Sequence, residues 1–443
     1  MMYKTILSLS VAIGLVQPAY ALDLQMAYQL AVENDSSYTA ALQTYEAAKL
    51  DLPLARASSK PNVSLTGAVI QNHDSIDPDG SPSSSANYLQ SQLALNVNHE
   101  LYNKATQHSI SQAELVVDIA KLQLVLAKEA LIGSTVERYL GVLSALDNQK
   151  LAELEQAAIE KQLELATQRL EVGLGTKTDQ YDAQARFESS KAGLIAAQNE
   201  VLNAGQSLEI LINTTLPENL RAEIKSLDNQ KVSLMIDDSN EWILQSVEQA
   251  PVYLIQQKQV QLKQIELATA VESRSPILSL VAGVSAAESS GGLQSSGGSG
   301  QNNWNVGLQG SLPLYQGGAI KLREIKAGYS LNSAKLELEK TRRESDLAIR
   351  SARRGVHALE KQVQALDQAV RASDSALKSK VEGFKAGVTT NIDVLDGQRD
   401  LFRARRDYLK SSYDLVNAVI GLERSAGALN EQDINLVNGW LKR

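Results

Sequence analysis

Apolar positions fall into two rhythms along this chain. One has a period of two over short segments, and the other recurs every three to four residues over much longer ones. Residues 24–58 read as a helix that ends before Pro61. Residues 62–72 and 88–102 alternate. In the second of these, Leu93, Leu95, Val97 and Leu101 point one way, and Gln92, Asn96, Asn98 and Glu100 point the other. Period two predicts strands with one apolar and one polar face. Between them lies a polar loop, His73 to Asn87, rich in Ser, Pro, Gly and Asp. No proline interrupts 105–172, where Ile110, Val117, Leu124 and Leu131 repeat every seven positions. Ala113, Ala120 and Ala127 follow the first three at a spacing of three, so the seam is a heptad with an alanine layer that lets a neighbouring helix come close. At 1.5 Å per residue this predicts a rod of about 100 Å. Gly173-Leu174-Gly175 breaks it, and 176–213 reads as a returning helix of about half that length.

The pattern is then written a second time. A shift of about 213 to 215 positions, the period of a repeat, lays Val247-Glu248 on Val32-Glu33, Pro276 on Pro61, and Val306, Leu308, Leu314 and Tyr315 on Leu93, Leu95, Leu101 and Tyr102. Gly387, Asp393, Asp396 and Gln398 fall on Gly173, Asp179, Asp182 and Gln184. The second copy predicts a helix over 241–274, strands over 277–287 and 303–315, a Ser/Gly loop between them, a rod over 317–386 and a returning helix from Thr390 to Leu429. The expected organisation is a signal peptide over 1–21, a first repeat over 22–213, a linker over 214–240, a second repeat over 241–430 and a tail over 431–443. In each copy the two shorter helices sum to about the length of the rod, so they could stack end to end beside it.

Lys4, the apolar run from Ile6 to Val16 and Ala19-Tyr20-Ala21 read as an export signal cleaved after Ala21. No later run reaches the twenty or so apolar residues of a spanning helix. The chain has no cysteine, so neither disulfides nor an acylated N-terminal cysteine are expected. The formal charge is −8, and losing Lys4 takes it to −9, which argues against nucleic acid as a partner. Three Phe and three Trp are sparse for one compact core, whereas abundant Ala, Leu, Gln, Glu, Lys and Arg suit coiled coils.

The strands have the length of bilayer-crossing strands, about 9 to 11 residues. Four strands cannot close a barrel, and open edges are not tolerated in lipid. Several chains must share one barrel. Two give eight strands and a filled lumen, while three give twelve and a passage. Tyr88 and Trp304 at the loop-side ends, with Tyr102 and Tyr315 at the other, are expected to form interfacial aromatic girdles.

The duplicated plan, the junction Leu312-Pro313-Leu314-Tyr315-Gln316-Gly317-Gly318, and Gly387 followed by Ile392-Asp393-Val394-Leu395-Asp396 resemble the TolC family of outer-membrane export channels. The resemblance spans essentially the whole mature chain. It implies a mixed α+β membrane protein: a homotrimer with a twelve-stranded outer-membrane β-barrel continued by a long periplasmic α-helical barrel. It implies a Gram-negative outer membrane as location, contact with its lipid, a periplasmic adaptor, and an inner-membrane pump of the ABC or RND type. The absence of an anchoring cysteine points to the type I secretion branch. The function so implied is an exit duct for proteins, small toxic compounds or both. A periplasmic adaptor and a structural coiled-coil envelope protein are the rival readings; neither needs membrane-length strand pairs flanked by aromatics.

Asp393 and Asp396 share one face of the first turn of a returning helix. In a trimer each would give a ring of three carboxylates favouring cations. They also suit a helix cap with Thr390. Asp179 and Asp182 are their first-copy equivalents. The resemblance implies that Asp179 helps hold the entrance shut, yet Thr389 and Phe384 stand where the best-known member has its Arg and Tyr partners. The expected gate is therefore weaker or rewired, with Lys177 or Lys385 as substitute cations. The arginine groups at 342–343, 353–354 and 403–406 are interleaved with acids and read as solvated faces. The four histidines show no metal-ligand spacing, and no hydrolase, P-loop or cysteine-nucleophile motif occurs. Neither catalysis nor a cofactor is expected.

Overall fold

The computed structural model describes residues 23–77, 79–80, 82–216, 226–227, 246–291 and 297–442. The leader and most of the linker lie outside these residues.

The stretch 24–58 is three helices, not one: α1 (Leu24–Asn34), α2 (Ser36–Ala48) and α3 (Asp51–Ala57). Asp35 makes the first break. Its extended backbone still donates to the Ala31 carbonyl, while its carboxylate accepts from the Tyr38 N–H at 2.7 Å. The residue ends one helix and caps the next, as short polar side chains do when they bond the backbone outside a helix.

Strands β1 (Asn62–Ile76) and β2 (Ser84–Tyr102) run further into the polar loop than alternation predicts. Their outer ends are polar on both faces, so no period marks them; pairing such as His73 with Asn87 holds them instead. Rod α4 (Lys104–Glu171) and returning helix α5 (Lys177–Ile212) complete the first copy, and β3 (Ser226–Leu227) lies beyond it. The second copy has α6 (Pro251–Glu272), β4 (Ile277–Ser289), β5 (Ser299–Ser311), rod α7 (Ala319–Lys385) and returning helix α8 (Asn391–Ala426). β5 stops four residues short of the predicted 315. Ile277, the first residue of β4, already pairs with Ser311, and Pro313 has no N–H to give a ladder. The four long strands form one antiparallel sheet, ordered β1-β2-β4-β5.

The rods have 68 and 67 residues, and the returning helices 36 each. At 1.5 Å per residue the rods are about 100 Å long. α1–α3 and α5 share the length of α4, and α6 and α8 share that of α7, which is the stacking that the lengths imply. α4 also packs against α6 and α8, and this joins the copies. Along the α4 seam Ala113 and Ala120 are buried, consistent with close helix approach.

The apolar core sits at the waist. Ile132, Val136, Tyr139 and Leu140 of α4 meet Leu208 and Ile212 of α5, Leu24 of α1, Ile349 and Val356 of α7, and Val416 of α8. The tail 431–443, which carried no predicted element, closes this core. α9 (Glu431–Trp440) starts with an Asn430/Asp433 capping box, buries Ile434 and Val437, and leads into β6 (Leu441–Lys442), which pairs with β3. Elsewhere the rod is a thin wall with one small apolar cluster near its far end: Ile159, Ala166, Ala183 and Leu395.

The waist holds one costly group. Glu129 on α4 is 2% exposed, and its Oε2 has no hydrogen-bond partner. Burial pushes its carboxyl up to about 7, and Arg424 only partly counters this. A raised carboxyl stabilises the fold below its ordinary value, and that contribution is lost as pH rises through about 7. Glu129→Gln stays neutral. Its gain in melting temperature over wild type should be small at pH 5 and should grow by pH 8, reflecting about 2–3 kcal/mol. Thermal denaturation followed by circular dichroism at the two pH values measures this; an equal difference at both would show that Glu129 does not titrate there.

Candidate functional site: a two-faced sheet and a helical tip

Strand register sorts every sheet residue to a face. Leu65, Leu95, Val284 and Trp304 lie in one row, and Val63, Val97, Ala282 and Val306 in the next row of the same face. Leu93 and Leu308 share that face. Its large members, among them Leu65, Leu95, Trp304 and Val306, are exposed. The opposite face carries Ser64, Asn96, Gly283 and Asn305 in one row and Asn62, Asn98, Val281 and Gly307 in another. Gly283 leaves room there for the Asn305 side chain, whose Oδ1 would lie 2.8 Å from a Cβ and would have to turn aside. β4 and β5 are 13 residues each, enough to cross a bilayer on a tilt. Among the described residues no helix is long and apolar enough to cross a membrane.

β1 and β2 continue as a two-stranded ribbon beyond the last row that includes β4, from Gln71 opposite Leu89 to Ile76 opposite Ser84. Tyr88 lies on this ribbon, opposite Asn72. Tyr102 ends β2 beside an irregularity in its pairing with β4. Trp304 lies within β5 opposite Val284, five residues after the strand begins. Tyr315 lies past β5 and is exposed.

At the other end of the rods the two copies build the same turn. Gly173 and Gly387 have φ of +75° and +78°, which favour glycine, and each turn is tied back by an N–H···O bond of 2.8 Å, from Leu174 to Arg169 and from Val388 to Gly383. Both returning helices open with a capping box. Thr176 Oγ1 accepts from the Asp179 N–H at 3.1 Å, and Thr390 Oγ1 accepts from the Asp393 N–H at 3.3 Å. Each aspartate accepts in return from its threonine's backbone N–H, at 3.1 and 2.8 Å. Bonds from the Thr390 hydroxyl and N–H hold the Asp393 carboxyl below the usual carboxylate range.

Beyond the caps the copies differ. Asp396 accepts from Arg186 Nη2 at 2.6 Å and faces Arg399 at 3.4 Å. Among the described residues no hydrogen bond or ion pair engages the Asp182 carboxylate. Asn391 is buried; it takes a bond from Gln162 and donates to the Asp179 carbonyl at 3.2 Å. The Phe384 ring lies under the Arg169 guanidinium at 4.5 Å. Thr389 Oγ1 donates to the Lys380 carbonyl at 2.8 Å within its own turn, and Lys385 pairs with Glu382 at 2.7 Å. Sequence reasoning thus missed Arg186, Asn391, Gln162 and Arg169. The repeat itself carries a signal for two of them: Arg186 stands where the second copy has Asp400, and Asn391 where the first has Lys177.

A bilayer-length sheet with an apolar and a polar face, set on a helical rod of about 100 Å, is the build of an outer-membrane channel protein. The outer membrane efflux protein family matches residues 27–214 and 253–428, one span per copy, and the chain belongs to that family. It is an outer-membrane channel protein, not an enzyme. The outer membrane protein TolC of Vibrio cholerae is 28% identical over 98% of both chains. The alkaline protease secretion protein AprF of Pseudomonas aeruginosa is 25% identical over 95% of this chain and 88% of its own. The crystal structure of CusC, a transmembrane channel protein, superposes with a TM-score of 0.79 at 17% identity, covering 94% of this chain and 96% of that one.

Proposed function

We propose that three copies of this chain form one gated exit duct through the outer membrane, serving a periplasmic adaptor and an inner-membrane pump and passing secreted proteins, small toxic compounds or both. The observation that carries this reading is the four-stranded two-faced sheet. Among the described residues β1 and β5 each have a single neighbour, so closure in lipid requires further copies. Its polar face then lines a lumen made mostly of amides and hydroxyls, with Glu100 towards one end and Asp74 towards the other, and the rods continue the passage. Names such as TolC and AprF among the relatives support an export role. The test is conductance of the purified protein in a planar bilayer under a KCl gradient. Discrete steps from trimers support the reading, whereas silent trimers that stay silent after the gate is weakened overturn it.

In this reading the gate lies at the tip, and Asp393 and Asp396 divide the work. The Asp393 carboxylate keeps its charge while capping α8 and supplies the ring that favours cations. Asp396, held by Arg186, ties the two copies together; the Asn391 bridge and the Phe384–Arg169 stack do the same where the expected arginine and tyrosine links are missing. Arg186→Ala and Asp179→Ala channels should each open more often than wild type, with mean conductance up about two-fold or more for Arg186→Ala, whose ion pair is half-buried. Single-channel recording measures this, and no change in either variant would remove these residues from the gate.

A further inference from the structure

The copies coincide residue for residue at the tip: α5 and α8 are both 36 residues long, and their capping boxes fall 214 positions apart. Six copies around a trimeric tunnel meet at junctions of two kinds, one within a chain and one between chains. The junction within the chain is visible here. Repeat symmetry gives the other: each residue is exchanged for its counterpart in the other copy. Arg186 is replaced by Asp400, and Asp396 by Asp182. The ion pair that joins the copies of one chain thus becomes two carboxylates.

We propose that the seam between subunits at the tip sets Asp400 of one chain against Asp182 of the partner subunit, and that their repulsion biases the tip towards opening. The proposal rests on the trimeric channel reading. Other links at the visible junction vanish under the same exchange. Arg406, which donates to Glu155 at 2.5 Å, and its partner become Ala192 and Ala369. The buried Gln162–Asn391 bond becomes Ala376 beside Lys177. Nearby charges do not neutralise the acid pair. Arg399 lies 3.5 Å from Asp400 but also faces Asp396 at 3.4 Å, and Arg186, one turn from Asp182, is bound to Asp396. Like charges brought together in a half-buried seam repel. This repulsion between chains works against the ion pair and bonds that hold each chain's hairpins together, and it favours the open tip.

The chain has no cysteine, so paired cysteines report the seam directly. Asp182→Cys/Asp400→Cys trimers, oxidised with copper phenanthroline, should run as covalent dimers and trimers on a denaturing gel. Arg186→Cys/Asp396→Cys trimers should stay at monomer mass. Trimers of the first variant that give only monomer bands would overturn the seam and leave the channel reading standing. A wild-type chain that is monomeric by light scattering in detergent would overturn both. In bilayers Asp400→Arg, which recreates an Arg–Asp pair across the seam, should cut open time about ten-fold, and adding Asp182→Arg should restore it. An Asp400→Arg channel that opens as wild type does would falsify the acid seam.

Discussion

Replacing Leu95 with arginine is expected to remove the protein from the outer membrane. Leu95 sits in the row Leu65–Leu95–Val284–Trp304 on the apolar face, away from both ends of the sheet. An arginine facing lipid near mid-depth costs about 2–4 kcal/mol per chain, and a trimer would carry three. The neighbouring substitution is the internal control. Asn96→Arg lies on the polar face, which lines the lumen in the proposed barrel; it should insert normally and shift selectivity towards anions. Membrane fractionation, followed by reversal potentials in a KCl gradient for the variant that inserts, separates the two. If both variants insert equally well, the face assignment is wrong.

The second large effect is expected at the tip. In the proposed trimer Asp393→Ala removes three carboxylates from one level, and the preference for potassium over chloride should fall several-fold. Asp396→Ala should act differently. It frees Arg186 on the first copy, so conductance should rise while selectivity changes less. The Asp393 carboxyl is held below the usual carboxylate range, so wild-type selectivity should persist as pH falls through about 4, where an ordinary aspartate would be losing its charge. Reversal potentials from pH 7 down to 4 check this. Equal loss of selectivity in Asp393→Ala and Asp396→Ala would refute the division of labour between them.

The repeat, the rods, the strand faces and the glycine turns at the tip were legible because each rests on a period or on a residue with restricted backbone freedom. What escaped was what periodicity does not encode. The break at Asp35 depends on one side chain bonding its own backbone, and a helical pattern runs straight through it. The outer ends of β1 and β2 are polar on both faces, so only pairing defines them. α9 is short, and its apolar residues have meaning only once the waist exists to receive them. At the candidate site the sequence found the capping aspartates through local spacing, but Arg186 and Asn391 act across some 210 positions. No local window joins residues that far apart; the departure of one copy from the other does.

The waist core has a mechanical consequence. The apolar cluster clamps α4 around Ile132 to Leu146, and the turn at Gly173 lies about 40–60 Å further along the same helix. A rod clamped most firmly at one level, with α5 and α8 riding on its far arm, acts as a lever. A rotation of about 10° at the clamp would carry its free end sideways by roughly 7–10 Å, with most waist contacts kept. Such a displacement exceeds the width of a helix backbone. A partner that pushes on the tip therefore needs only a small force, because the torque it exerts at the waist grows with the length of the arm.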